Sequence, residues 1–165
     1  MCGGERLSLR FFTISGARQR ERGLELMQAQ LRRAGIEVSL AFSPFPALFD
    51  QILPGGEFDG VSFAWINLTD GGYKDVYGCG AVQNYSGYCQ RLVTAELDQA
   101  DRILDGAQRA RALNRADRQL ARDVPVIPLY QIPWVLAQNR SLRNVVPSPN
   151  NIFWNAENWW LAEPR

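Results

Sequence analysis

The spacing of apolar residues changes twice near the start of the chain, and this change constrains the fold more than any other feature. The segment Leu7–Ile14 is rich in β-branched and aromatic residues and predicts a strand. Helical spacing follows over Ala17–Ala34, with Ser15 as a candidate cap and Gly35 as the stop. Strict alternation over Ile36–Phe42 predicts a second strand. This order predicts a βαβ unit with parallel strands and a right-handed crossover.

The rest of the chain extends the α/β pattern and interrupts it once, with a long loop. The predicted elements are a short helix (Pro44–Leu53), a third strand (Phe58–Ile66), the glycine- and tyrosine-rich loop Asn67–Tyr88, a helical stretch (Thr94–Gln119) capped by Thr94 and broken near Gly106, and a β-segment (Val124–Tyr130). Two prolines place that last segment at a sheet edge or at a crossing between lobes. A loop of this length inside a compact domain indicates function rather than simple connection.

Composition excludes several classes of function. The chain has 165 residues, enough for one domain, with 18 basic and 17 acidic side chains, so no strong field attracts nucleic acid. It has no histidine, which excludes Ser-His-Asp and Cys-His nucleophile arrangements and every histidine-containing zinc site. No glycine-rich phosphate-binding motif is present. We therefore expect no nucleic-acid partner, no metal and no cofactor.

Two of the three cysteines, Cys79 and Cys89, lie ten positions apart in the predicted loop. A disulfide that closes the loop is favoured over a reactive or metal-binding pair, because nothing nearby supplies further ligands. Such a bridge stabilises the fold by about 2–3 kcal/mol in the chain-entropy account. It also indicates an oxidising, extracytoplasmic compartment.

Candidate ligand-binding residues cluster where the third predicted strand enters the loop. Ligands of open α/β sheets bind beyond the carboxyl ends of the strands, and Trp65 lies at that position. Asp70 and Asp75 could hold a ligand amine, or could form the acid pair of a glycosidase, although two acids in a polar loop are also expected by chance. The tryptophans of the tail are interpreted as packing residues.

Ordered segments along nearly the whole chain resemble the bacterial extracellular solute-binding proteins of family 5, the dipeptide/oligopeptide receptors of ABC importers. The segments are Ile36–Val38, Phe45–Leu53, Glu57–Gly60 followed by Phe63–Trp65, Asn84–Tyr88 followed by Thr94–Ala100, Asp123–Gln131 and Trp154–Trp159. The motifs Pro128-Leu129-Tyr130-Gln131 and Trp154-Asn155-Ala156-Glu157 are most similar to those of actinobacterial members.

The resemblance implies an α/β fold, the C-terminal lobe of a type II (cluster C) periplasmic-binding-protein-like fold, with a mixed open sheet flanked by helices. Residues 5–138 are then the ligand-binding lobe, and residues 139–165 are a tail that crosses toward an N-terminal lobe outside this chain. We expect the fragment itself to be soluble, since it shows neither an export signal nor an apolar run long enough to span a membrane.

The resemblance also implies a function without catalysis. Such receptors are extracytoplasmic, are often lipid-anchored, and deliver a peptide or other small solute to permease subunits in the membrane. In family members a tryptophan at the position of Trp65 lines the ligand cleft, and we expect Trp65 together with Asn67, Asp70 and Tyr73 to bind the ligand. Family members that bind peptides have an acid three positions after the tryptophan, where this chain has Leu68. A structural or regulatory cell-envelope lipoprotein that retains the fold without transport is therefore the alternative.

Overall fold

The structure is a computed structural model that describes residues 7–65, 72–132, 135–147 and 154–162. Its strands are β1 (Ser8–Ile14), β2 (Glu37–Ser43), β3 (Gly60–Ser62), β4 (Leu142–Arg143) and β5 (Trp160–Leu161). Its α-helices are α1 (Arg18–Arg33), α2 (Phe45–Ala47), α3 (Leu53–Gly55), α4 (Tyr73–Tyr77), α5 (Arg91–Arg102) and α6 (Gly106–Asp123). A π-helical turn (Leu48–Ile52) joins α2 to α3, and Ala156–Asn158 form a 3₁₀ turn.

The predicted βαβ unit is confirmed. Strand β1 is central and pairs in parallel with β2 along its whole length and with β3 over three positions, in the order β2-β1-β3. Thr13 is fully buried, and its hydroxyl donates to the Ser62 carbonyl oxygen at 2.7 Å. A Cβ at Gly60 would lie 2.8 Å from the Phe11 ring, so glycine allows β3 to approach β1. This sheet is parallel in the described residues, and the antiparallel part of the predicted mixed sheet lies in a separate ribbon formed by β4 and β5.

Helix α1 covers the sheet and ends where the sequence predicts. Leu24 is buried. At the C-terminus the Gly35 N–H donates to the Arg32 carbonyl and the Ile36 N–H to the Leu31 carbonyl, each at 3.0 Å, and Gly35 has φ 81°. These are the bonds of a Schellman motif. The predicted Ser15 cap is wrong: the Gly16 N–H, which follows it, donates to a Glu21 carboxylate oxygen at 2.7 Å, and no side chain caps the helix.

The second half of the chain is a helical layer built from α4, α5 and α6. Its core consists of Val93, Leu97 and Ala116. The predicted break near Gly106 is confirmed, and Asp105 caps α6 by accepting from the Gln108 N–H at 2.7 Å. The predicted Thr94 cap is wrong, because α5 begins three residues earlier. Its cap is Gln90, whose side chain accepts from the Leu92 N–H.

Three predicted segments differ from the structure. Strand β3 spans three residues instead of Phe58–Ile66, because Phe63 and Trp65 leave the ladder for an aromatic cluster. The predicted loop Asn67–Tyr88 contains helix α4. The segment Val124–Tyr130 forms no β-ladder, since its two prolines cannot donate to one. Among the described residues, no helix is both long and apolar enough to cross a membrane.

Candidate functional site

Aromatic side chains gather where the chain leaves β3. The Phe63 ring lies edge-on to the Trp65 indole, with ring centroids 5.0 Å apart, and edge-on to Phe49 at 5.7 Å. Phe45 in turn stacks on Phe49 at 4.5 Å. Edge-to-face and offset-stacked pairs at these separations are favourable. The cluster therefore connects the α2–α3 helical segment to the end of β3 and orients the indole.

Tyr85 supplies a further ring of this cluster from a distant part of the chain. Its ring is parallel to the Trp65 indole within 6°, with centroids 6.2 Å apart, and it also contacts Phe63 edge-on at 6.3 Å. Tyr85 lies between Cys79 and Cys89, and these cysteines form the predicted disulfide, with Cα atoms 4.4 Å apart. The bridge thus closes the segment that carries the ring.

Hydrogen bonds inside the bridged loop hold the backbone around Tyr85. The Asn84 side-chain amide donates to the Gly78 carbonyl at 2.7 Å and to the Tyr88 carbonyl at 2.6 Å. The Ser86 hydroxyl donates to the Asn84 side-chain oxygen at 2.9 Å. The residues on both sides of Tyr85 are therefore fixed by side-chain bonds.

A cavity of about 550 Å³ opens next to Trp65. Helix α4 forms one wall, α5 and α6 form another, and the segment after α6 closes a third side. The lining includes Trp65, Tyr73, Asp75, Tyr77, Gln83, Leu97, Leu113, Asn114, Asp117, Leu120, Pro125, Val126 and Pro128. This combination of an apolar wall and a few polar groups is typical of small-molecule sites.

The polar side of the cavity is acidic. Asp75 on α4 and Asp117 on α6 both line it, and among the residues that the structure describes neither a lysine nor an arginine does. Burial, the nearby Asp117 carboxylate and the Tyr73 phenol together raise the pKa of Tyr77. Tyr77 therefore remains a neutral hydroxyl in the wall.

Helix α4 is only five residues long, and contacts outside it hold it in place. The Lys74 ammonium forms an ion pair with Asp98 of α5, and Arg102 binds the other oxygen of that carboxylate at 2.9 Å. At its C-terminus the Gly78 N–H donates to the Lys74 carbonyl at 2.7 Å. A Cβ at Gly78 would lie 2.6 Å from that oxygen, so the tight end of α4 requires glycine.

The structure brings two of the four predicted ligand residues together, since Trp65 and Tyr73 line the same cavity. Asn67 and Asp70 lie outside the described residues. Sequence reasoning missed Tyr85 and Asp117 as site residues. The position of Tyr85 between the two cysteines could have indicated it. Asp117 is an exposed acid on a long helix, and nothing in the sequence distinguishes it from other such acids.

Comparison with known proteins found relatives of similar sequence. No model of a known protein family matches the chain. The chain is 26% identical over 164 residues to the oligopeptide-binding protein AppA of Bacillus subtilis, covering 97% of this chain and 30% of that protein. It is also 26% identical over 132 residues to the peptide transport periplasmic protein SapA of Haemophilus influenzae, covering 76% of this chain and 23% of that protein. The chain thus spans about a third or less of these relatives.

Solved structures share the fold. The structure of Bacillus subtilis AppA in complex with a nonapeptide matches with a TM-score of 0.78 at 22% identity, covering 99% of this chain and 35% of that one. Burkholderia pseudomallei OppA matches with a TM-score of 0.76 at 20% identity, covering 95% of this chain and 31% of that one. The fold is therefore that of part of these structures, a type II periplasmic-binding-protein-like fold. The similarity to solute-binding proteins that the sequence motifs indicated is confirmed.

Proposed function

We propose that this chain is the ligand-binding C-terminal lobe of an extracytoplasmic solute-binding protein, which delivers a peptide or a similar small solute to an ABC importer. The observation that carries the proposal is the position of Trp65, whose indole lines a cavity of about 550 Å³ beyond the end of a strand. Open α/β folds bind ligands at that position. The relatives named above, an oligopeptide-binding and a peptide transport protein, support the solute class.

The exposed apolar surface of the chain supports the proposal that a second lobe packs against it. Large apolar side chains are exposed along the segment after α6 and on the terminal ribbon: Val124, Val126, Ile127, Leu129, Tyr130, Ile132, Val135, Leu136, Val146, Trp154, Trp160 and Leu161. We call this surface the seam. Exposed apolar patches mark interaction sites. In the proposal, residues 5–138 form the lobe, the tail from residue 139 crosses toward an N-terminal lobe, and closure of the two lobes buries the ligand.

The remaining parts of the proposal follow from this arrangement. The partners are the N-terminal lobe, the solute and permease subunits in the membrane, and the protein itself catalyses no reaction. The Cys79–Cys89 disulfide supports an extracytoplasmic location, since such bridges persist in oxidising compartments. A lipid anchor on the longer protein would keep the receptor at the membrane surface.

A thermal-shift experiment with a pool of random nonapeptides tests the proposal. A longer polypeptide that adds the N-terminal lobe should gain several degrees in Tm, because a ligand at 100 times its Kd stabilises by about 2.7 kcal/mol. Trp65→Ala in that polypeptide should reduce the gain. The 165-residue chain alone should respond weakly, since it offers one wall of the cleft.

Two results contradict the proposal in different ways. Submicromolar nonapeptide binding by this chain alone would contradict the division of the site between two lobes. If peptides of two to nine residues leave the Tm of the longer polypeptide unchanged, the result would instead favour the alternative, a cell-envelope protein without transport.

A further inference from the structure

The cavity beside Trp65 differs in charge from the chain as a whole. The chain carries 18 basic and 17 acidic residues, whereas the described residues that line the cavity include two aspartates and no lysine or arginine. Lys74 belongs to helix α4 but does not line the cavity, because its ammonium pairs with Asp98. The charge of the lining therefore favours a positively charged occupant.

Among the described residues, the two lining carboxylates differ from three other acids of the helical layer, each of which has a partner. Glu96 binds Arg115, Asp98 binds Lys74 and Arg102, and Asp123 accepts from the Tyr88 hydroxyl. Within the part of the chain that the structure describes, Asp75 and Asp117 accept no side-chain hydrogen bond and form no ion pair. The acceptor capacity of both is available to a ligand.

The rest of the lining suits a cation with an apolar stem rather than a bare metal ion. The rings of Trp65, Tyr73 and Tyr77 line the cavity, and aromatic faces attract ammonium and guanidinium groups. Leu113, Leu120 and Val126 supply the apolar surface against which an aliphatic chain packs. Asp117 also contributes to the raised pKa of Tyr77, which indicates a negative potential at this wall.

We propose that the cavity binds a positively charged, long-stemmed group of the ligand, such as a lysine or arginine side chain, with Asp75 and Asp117 holding the charge and the aromatic and leucine side chains holding the stem. The inference rests on the proposed function, since it takes the cavity as part of the ligand site. It narrows the solute to one that carries a basic side chain.

NMR titration of the ¹⁵N-labelled chain tests this inference with n-butylguanidinium, and with n-butylurea as the neutral probe of the same shape. Butylguanidinium should shift amide signals of α4 and α6 and saturate, and binding should weaken as salt rises. Butylurea, and the Asp75→Asn/Asp117→Asn double variant, should each bind about fivefold more weakly or worse. Asp101→Asn, which removes an acid from α5 outside the cavity, should bind as the unchanged chain does.

Equal binding of butylurea, or unchanged butylguanidinium binding in a folded double variant, would overturn the inference. Its failure is distinguishable from that of the transport proposal. If neutral and lysine-containing nonapeptides stabilise the two-lobe protein equally, this inference fails and transport stands. If butylguanidinium binds at the cavity while no peptide raises the Tm, the cation site stands and peptide transport fails.

Discussion

The position of the Trp65 indole depends on side chains that are distant in sequence. The Tyr85 ring is parallel to the indole within 6°, and the Phe63 ring lies edge-on to it at an interplanar angle of 74°. Because Tyr85 is held by the disulfide loop, the orientation of Trp65 depends on a covalent constraint that begins fourteen positions later in the chain, at Cys79. In this account Tyr85 acts through Trp65 as a positioning residue.

Replacing the Tyr85 ring should change the environment of Trp65. In the chain labelled with 5-fluorotryptophan, Tyr85→Leu should shift and broaden the ¹⁹F signal of Trp65, which Trp65→Phe identifies by its loss. The stability lost should be about 0.5–1.5 kcal/mol, the usual value of an aromatic pair. Tyr85→Phe keeps the ring and should leave the signal in place. An unmoved signal in Tyr85→Leu would refute the positioning role.

A glycine inside α1 and the glycine that follows its C-terminus should respond in opposite ways to the same substitution. A Cβ at Gly23 or at Gly35 would meet no atom within 4 Å, so space does not distinguish them. Gly23 lies inside the helix, where alanine is favoured by about 0.5–1 kcal/mol. Gly35 has φ 81°, a conformation that costs alanine about 1 kcal/mol. Urea unfolding should show Gly23→Ala stabilised and Gly35→Ala destabilised, and equal signs would contradict the Schellman assignment.

At the scale of elements, a two-pronged ion pair joins α5 to α6. Arg115 donates to both carboxylate oxygens of Glu96, at 2.6 and 2.7 Å. The Arg115 guanidinium holds the pKa of Glu96 below its ordinary value of 4.5. A carboxyl group with a lowered folded-state pKa contributes stability above its unfolded pKa and loses it as pH falls through the folded one.

Glu96→Gln should therefore lower the Tm by about 1–3 °C near pH 7, because pairs of this exposure contribute little. The difference in Tm between Glu96→Gln and the unchanged chain should be constant between about pH 5 and 8. It should shrink below about pH 4.5. Asp101→Asn, an exposed change on the same helix, serves as the control. A difference that persisted at low pH would mean that packing rather than charge carries the effect.

At the scale of the whole molecule, the core and the seam respond differently to polar substitution. Ile127 and Leu129 on the seam are 70% and 53% exposed, whereas Leu97 is 3% exposed. The double variant Ile127→Ser/Leu129→Ser should keep its Tm within about 1 °C, as surface changes do. It should also reduce self-association in sedimentation, because less apolar surface is exposed.

The matched core variant Leu97→Ala should lose about 2–5 kcal/mol of stability. A large drop in Tm for the seam variant would show that these side chains pack within this chain, and would remove the support that the seam lends to a second lobe.

The sequence by itself determined the features that depend on near neighbours. The βαβ order, the stop of α1 at Gly35, the break before α6 and the Cys79–Cys89 pairing each depend on spacing or backbone chemistry within one element or loop. Only the tertiary structure decided where β3 ends, which residue caps α5, and which residues meet at the cavity. Tyr85 reaches Trp65, and Asp117 faces the same space as Asp75, through packing between elements far apart in the chain. Local propensity carries no information about such contacts, because their energy comes from partners that only the folded chain brings together.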